Sequence, residues 1–178
     1  MSFTHLHVHS EYSLLDGACR IEPMLDKIKS MGQTSVAITD HGVMYGVIDF
    51  YKAALKRDIK PVIGCEVYVA NRSRFSKEHL MDWSYHLVLL CENNTGYKNL
   101  IKLVSAGFTE GFYKKPRVDK ELLKKTLDFA KKTGNENILF EHIFAFFEIY
   151  FVFYEKLLRS FTESRITISP PMTFRPIR

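Results

Sequence analysis

From residue 3 to about residue 107, short apolar runs alternate with longer amphipathic ones, and few folds accept that rhythm. Residues 3–9, 35–39, 61–69 and 86–91 have the length and composition of strands. Between them, 22–30, 43–56 and 95–107 carry helical periodicity, the first with Pro23 in its opening turn, where a missing N–H costs little. Strand–helix alternation of this kind predicts parallel βαβ units, hence an α/β fold that is either a barrel or an open sheet. Four strands are too few to close a parallel barrel, which uses about eight.

The rhythm stops near Lys125. Residues 126–178 hold nine of the fourteen phenylalanines and a single glycine, Gly134. The run 138–158 is almost wholly apolar or aromatic, and Glu141, Glu148 and Glu155 fall seven apart, which predicts a helix with one thin polar stripe. Three acids make a membrane span costly, at roughly 2–3 kcal/mol each, so no membrane partner is expected. The reading is therefore two segments: 1–125, and an aromatic-rich, mostly helical tail over 126–178. A frameshift or truncation is the expected origin of that tail. The three cysteines, Cys19, Cys65 and Cys91, are odd in number and lack metal-ligand spacing, which predicts buried, reduced thiols in a cytoplasmic protein. A net charge of +5 is compatible with a phosphate-bearing partner. Over 98–132, Lys and Arg outnumber Asp and Glu by ten to four, either a patch that follows a phosphate backbone or a solvated face.

The chemistry concentrates in Thr4-His5-Leu6-His7-Val8-His9-Ser10. On a strand, alternate side chains share a face, so the three imidazoles point one way, successive members roughly 6.6 Å apart. A lone His-x-His is as often an exposed coincidence as a site. Four further features shift that balance. Asp16 follows on a turn, and Asp40-His41 sits at the C-terminal end of an apolar run, where α/β folds build their sites. Glu66 lies inside an apolar strand and is expected to have a cation or a strong donor nearby, either metal ions or a lysine in a salt bridge. His86 opens the next strand.

These residues resemble a known family. His5-Leu6-His7-Val8-His9-Ser10 through Asp16-Gly17 is similar to the opening motif of PHP domains, and Ala37-Ile38-Thr39-Asp40-His41-Gly42 to the second. Lys60 through Glu66, and Tyr85-His86-Leu87-Val88-Leu89-Leu90, resemble later motifs. Gly96-Tyr97-Lys98-Asn99-Leu100 and Lys115-Pro116-Arg117-Val118-Asp119 resemble the PHP domain of bacterial DNA polymerase III alpha subunits rather than free-standing PHP phosphatases.

The resemblance implies the N-terminal part of a distorted TIM-like (β/α)7 barrel with a trinuclear metal centre. His7, His9 and Glu66 would hold one metal, Glu66 would bridge to a second shared with His86, and Asp16 with His41 would hold the third. Such ligands suit zinc, manganese or iron. Metals so clustered polarise a phosphoester and lower the pKa of bound water. His5 has no ligand role in the motif and is expected inside the barrel as a satisfied core histidine. The family's remaining ligands, a cysteine and an Asp-x-His pair, come from later segments, and residues from Thr126 onward offer none of them. The implied activity is that of a metal-dependent phosphoesterase or 3′–5′ exonuclease, impaired here. DNA and replisome subunits are the expected partners within a full-length polymerase. A histidinol-phosphatase-like enzyme and an inert scaffold are the alternatives.

Overall fold

The computed structural model describes residues 3–78, 82–132 and 138–144. Four helices and five strands follow in the order α1 (Ile21–Ser30), β1 (Ser35–Ile38), α2 (Val47–Leu55), β2 (Lys60–Ala70), β3 (Ser84–Cys91), α3 (Asn94–Thr109), β4 (Arg117–Val118), α4 (Lys120–Lys132) and β5 (Ile138–Phe144). They belong to one compact unit ending at Phe144. The three helices expected before Lys125 and three of the four expected strands are present within a few residues of their predicted limits.

The sheet runs β1-β2-β3-β5, with β4 also against β2. β1 pairs parallel with the first residues of β2, Ser35 opposite Lys60 through Ile38 opposite Ile63. Beyond the end of β1, β4 pairs parallel with β2 at Tyr68 and Val69. β3 pairs antiparallel with β2, which places Val88 opposite Glu66 and His86 opposite Tyr68.

The two-residue period of β2 and β3 sorts their side chains onto two faces. Cys65, Val67, Val69, Leu87 and Leu89 join Leu100, Leu103 and Val104 of α3 in one core. A second core packs Leu25 and Ile28 of α1 and Phe50 and Ala54 of α2 against Val36 and Ile38 of β1. Leu25 and Phe50 are fully buried, each contributing about 1.5–3 kcal/mol. The opposite face of the sheet carries a small apolar floor of Ala37, Val88 and Leu90. Glu66 and Tyr68 share that face.

Several expectations are corrected. Residues 3–9 form no regular strand; they meet the sheet through a parallel bridge between His5 and Val36. Ala37 N donates to His5 O and Thr39 N to Val8 O, both at 2.8 Å, so three residue steps run alongside two of β1. That two-against-one mismatch is the geometry of a bulge, and Thr39 Oγ1 fills the gap by bonding both Val8 N and Val8 O. His5 is exposed rather than buried, with the Phe3 ring edge-on at 4.8 Å. Cys19 is exposed as well; of the three thiols only Cys65 is fully buried.

The sheet is mixed rather than all-parallel. The connection from β2 to β3 contains no helix among its described residues, and a parallel crossover needs one or its equivalent in length. Instead the chain folds back through a loop clamped by Arg72 on Asp82 at 2.9 Å. Residues 138–144, expected as helix, form β5, which pairs antiparallel with β3. An open strand edge takes up an apolar segment readily. The remainder of the expected tail helix lies outside the described residues.

The 111–119 region is tied down by two buried arginines. Arg117, 1% exposed, donates to the carbonyls of Gly111, Arg74 and Ser76. Arg117 is thereby absorbed into the structure and leaves the expected basic surface. Arg74 Nη1 pairs with Asp119 Oδ1 at 2.9 Å, and the same oxygen caps α4 by accepting from Leu122 N. Burial raises the Asp119 pKa, but hydrogen bonds from Arg74 N and Leu122 N and the Arg74 charge outweigh it and hold the carboxyl below its usual range. An unfolded aspartate titrates near 3.9. The resulting stabilisation is therefore complete above about pH 5 and is lost as pH falls through the lower folded value. Asp119→Ala is expected to cost about 3 kcal/mol at neutral pH by urea denaturation, with the gap between wild type and variant closing toward pH 2. A gap that stays constant with pH would show that the pair carries no such linkage.

Candidate metal centre

Glu66 is 2% exposed, and its position is set by its own backbone. Its N–H donates to Asp40 O at 3.1 Å and its carbonyl accepts from Gly42 N at 2.8 Å, so the turn after β1 continues the parallel ladder. His41 is thereby bridged to Glu66. Gly42 makes the turn possible: its φ is +65°, and a Cβ there would lie 2.9 Å from Pro116 Cγ and 3.1 Å from the Tyr68 ring.

Five other predicted residues gather around this carboxylate. His7 Nε2 lies 2.5 Å and His9 Nε2 2.9 Å from Glu66 Oε2. His86 Nδ1 contacts Glu66 Oε1, and His41 Nδ1 faces the same oxygen at 3.6 Å. Asp16 Oδ2 lies 2.5 Å from His41 Nε2 and 4.0 Å from His9 Nδ1. Candidate ligand atoms group as His7–His9–Glu66, His9–Asp16–His41 and His41–Glu66–His86, each set within 4.8 Å. The partners of Glu66 are thus imidazoles, where a lysine was the alternative.

The electrostatics follow from this crowding. Burial pushes Glu66 up, but hydrogen bonds from His7 and His9 and the charges of His41 and His7 carry it well below the usual carboxylate range. The hydrogen bond to Glu66 raises the His9 pKa against the opposing effect of burial. Burial, then the charge on His9, lowers that of His41.

Two features fit a cation better than protons. His7 and His9 Nε2 are 2.9 Å apart while both contact Glu66 Oε2. If both rings donate to that oxygen, two N–H groups face each other; one cation would accept all three lone pairs, since tetrahedral ligands at about 2.0–2.1 Å from zinc lie roughly 3.3 Å apart. In addition, His41 Nδ1 is buried without a hydrogen-bond partner.

Residues outside the predicted ligand set hold this arrangement. Asp40 is 1% exposed, and its carboxylate is occupied by Ser10 N at 2.6 Å, Ser10 Oγ at 2.7 Å and Ser13 Oγ at 2.7 Å. It fastens the 10–17 loop, which bears Asp16, to the end of β1. Gly17 permits the close approach, since a Cβ there would sit 1.9 Å from Ser10 O. Ser13 Oγ also accepts from His41 N at 3.1 Å. The Tyr68 ring lies parallel to His41 at 5.9 Å and edge-on to His86 at 4.9 Å. The two-residue step from Glu66 to Tyr68 was the available signal for that ring; nothing local distinguished Asp40 from a ligand.

Fold and site together define an α/β domain that gathers a histidine–carboxylate cluster of candidate metal ligands around Glu66 of β2. The model of the family described as PHP domain matches residues 5–149, and the chain belongs to that family. It is 53% identical over 125 residues to DNA polymerase III subunit alpha of Borreliella burgdorferi, and equally so to that of Treponema pallidum. Each alignment covers 69% of this chain, which spans only 11% of the length of either relative. Among solved structures, an amidohydrolase from Chromobacterium violaceum is similar over 58% of this chain and 32% of its own, with 26% identity and a TM-score of 0.43.

Asp40→Ala would leave three donors without their acceptor, two of them on buried Ser10. A loss of roughly 3 kcal/mol or more is expected in thermal denaturation, and an unchanged melting temperature would show that the loop is held otherwise.

Proposed function

We propose that this PHP domain is the metal-dependent phosphoesterase module at the start of a bacterial replicative DNA polymerase III alpha subunit. The carrying observation is the convergence of His7, His9, Asp16, His41, Glu66 and His86 on one shared cluster, with Glu66 presenting one oxygen to His7 and His9 and the other to His86 and His41. His7, His9 and Glu66 would hold one divalent ion, Glu66, His86 and His41 a second, and Asp16 with His41 and His9 a third. Imidazole and carboxylate donors favour zinc, manganese or iron. When bound, such ions supply Lewis acidity toward phosphoester oxygens and acidify water. The chain's own part is to hold the donors: Asp40 and Ser13 fix His41 and the Asp16 loop, and Glu66 distributes negative charge between its two sides.

The substrate class is a phosphoester, with the 3′ end of single-stranded DNA as the polymerase-linked case, and DNA and the replisome subunits are the proposed partners. The similarity to polymerase alpha subunits favours this over a free-standing histidinol-phosphatase-like role. The separate tail beyond Lys125 belongs to the same proposal and rests on the shift to aromatic composition, although β5 attaches 138–144 to the sheet. Among the described residues, no helix is long and apolar enough to cross a membrane.

Elemental analysis of the purified chain after manganese or zinc loading is expected to find bound metal. Impaired hydrolysis of p-nitrophenyl phosphate and of single-stranded DNA ends is expected with it, because residues from Thr126 onward supply neither the cysteine nor the Asp-x-His pair of the family's pattern. Glu66→Gln should remove at least one equivalent of metal and lower turnover by on the order of 100-fold. Metal uptake without turnover on either substrate would favour a scaffold role, and no uptake at all would overturn the metal assignment.

A further inference from the structure

The turn 111–116 brings one cation to the rim of the cluster. Tyr113 N donates to Lys115 O at 3.1 Å, and Lys114 adopts a left-handed conformation with φ +62°. This tight turn is anchored below by buried Arg117 and swings the next side chain back over the sheet. Lys115 Nζ then lies 3.9 Å from the centroid of the Tyr68 ring, the ring stacked parallel to His41 and edge-on to His86. Among the described residues, no carboxylate lies within 4.0 Å of Lys115, whereas Arg57, Arg72, Arg74 and Lys125 all have one. The ammonium is half-buried, and burial lowers its pKa even though the Glu66 charge opposes the shift. A ring face holds a cation in place while leaving its N–H donors free.

We infer that Lys115 is the phosphate-binding cation of this site: poised on Tyr68 beside the His41–Glu66–His86 group, it donates to a non-bridging oxygen of the phosphoryl group. This rests on the metal-site proposal and deepens it, since it specifies an anionic phosphoryl group as the ligand bound beside the metals. The same chemistry serves a phosphomonoester or the diester backbone of a DNA end. Tyr68 acts as the platform, and the bare Cα of Gly42 lies close against that ring.

The test uses the full chain loaded with manganese. Metal content by elemental analysis and the dissociation constants for inorganic phosphate and for an unphosphorylated single-stranded oligonucleotide are measured for wild type, Lys115→Met and Lys115→Arg. Lys115→Met is expected to retain wild-type metal content while weakening phosphate binding roughly 10-fold or more, and Lys115→Arg to restore most of it. Weakening confined to the oligonucleotide supports the inference with the diester as ligand. Equal affinities of wild type and Lys115→Met for both probes, at equal metal content, overturn the inference while leaving the metal site standing. A wild-type chain that takes up no manganese overturns the metal site and the inference together.

Discussion

The arrangement depends on how the chain accommodates a carboxylate in the middle of β2. Glu66 cannot sit there unsatisfied, because an isolated buried charge costs several kcal/mol. Its backbone recruits the 40–42 turn as a continuation of the ladder, and its side chain draws in four imidazoles from three stretches of chain. One residue thus sets both the register of the β1 turn and the centre of the cluster. Moving the register by one would exchange Glu66 for Cys65 or Val67, turning the carboxylate into the apolar core under α3.

Three buried acids among the described residues are compensated in different ways, and the contrast identifies which could face a metal. Asp119 is matched by the fixed charge of Arg74, and Asp40 by hydroxyls and a backbone N–H. Neither set of partners can give up its protons to coordinate a cation. Imidazole can, since its neutral form presents a lone pair. The chemistry of the partners, rather than burial or acidity alone, separates Glu66 from Asp40, although both occupy apolar surroundings at strand ends or interiors.

Much of this was legible in the sequence because the site residues are tied to local patterns. His7 and His9 alternate on an extended segment, His41 follows an apolar run, and Glu66 interrupts one. Strand direction was not legible, since an apolar run such as 86–91 reads alike in parallel and antiparallel pairing; the lack of a helix among the described residues between β2 and β3 carried the information. The bulge beside β1 was equally hidden, because it depends on the Thr39 hydroxyl substituting for a backbone partner. Residues 138–144 were misassigned because acids spaced seven apart describe a helix only where no strand edge competes, and β3 offers one. Lys115 was counted as one of many basic residues; its distinction arises from the turn geometry and from Tyr68, neither of which follows from composition.

The three ligand groups are not equivalent, and the way they share atoms ranks them. The two oxygens of Glu66 point to different partners, Oε2 to His7 and His9 and Oε1 to His86 and His41. A carboxylate can bridge two cations in this manner without competition. The third group takes His41 Nε2 and Asp16, so His41 would need both ring nitrogens engaged at once, which requires losing both of its ring protons. Asp16 is largely exposed whereas Glu66 is buried, so the two groups that share Glu66 are the better-enclosed part of the cluster. A cation in the Asp16 group would compete with the Glu66 side for His41, and the 10–17 loop, held by Asp40, sets where Asp16 stands in that competition.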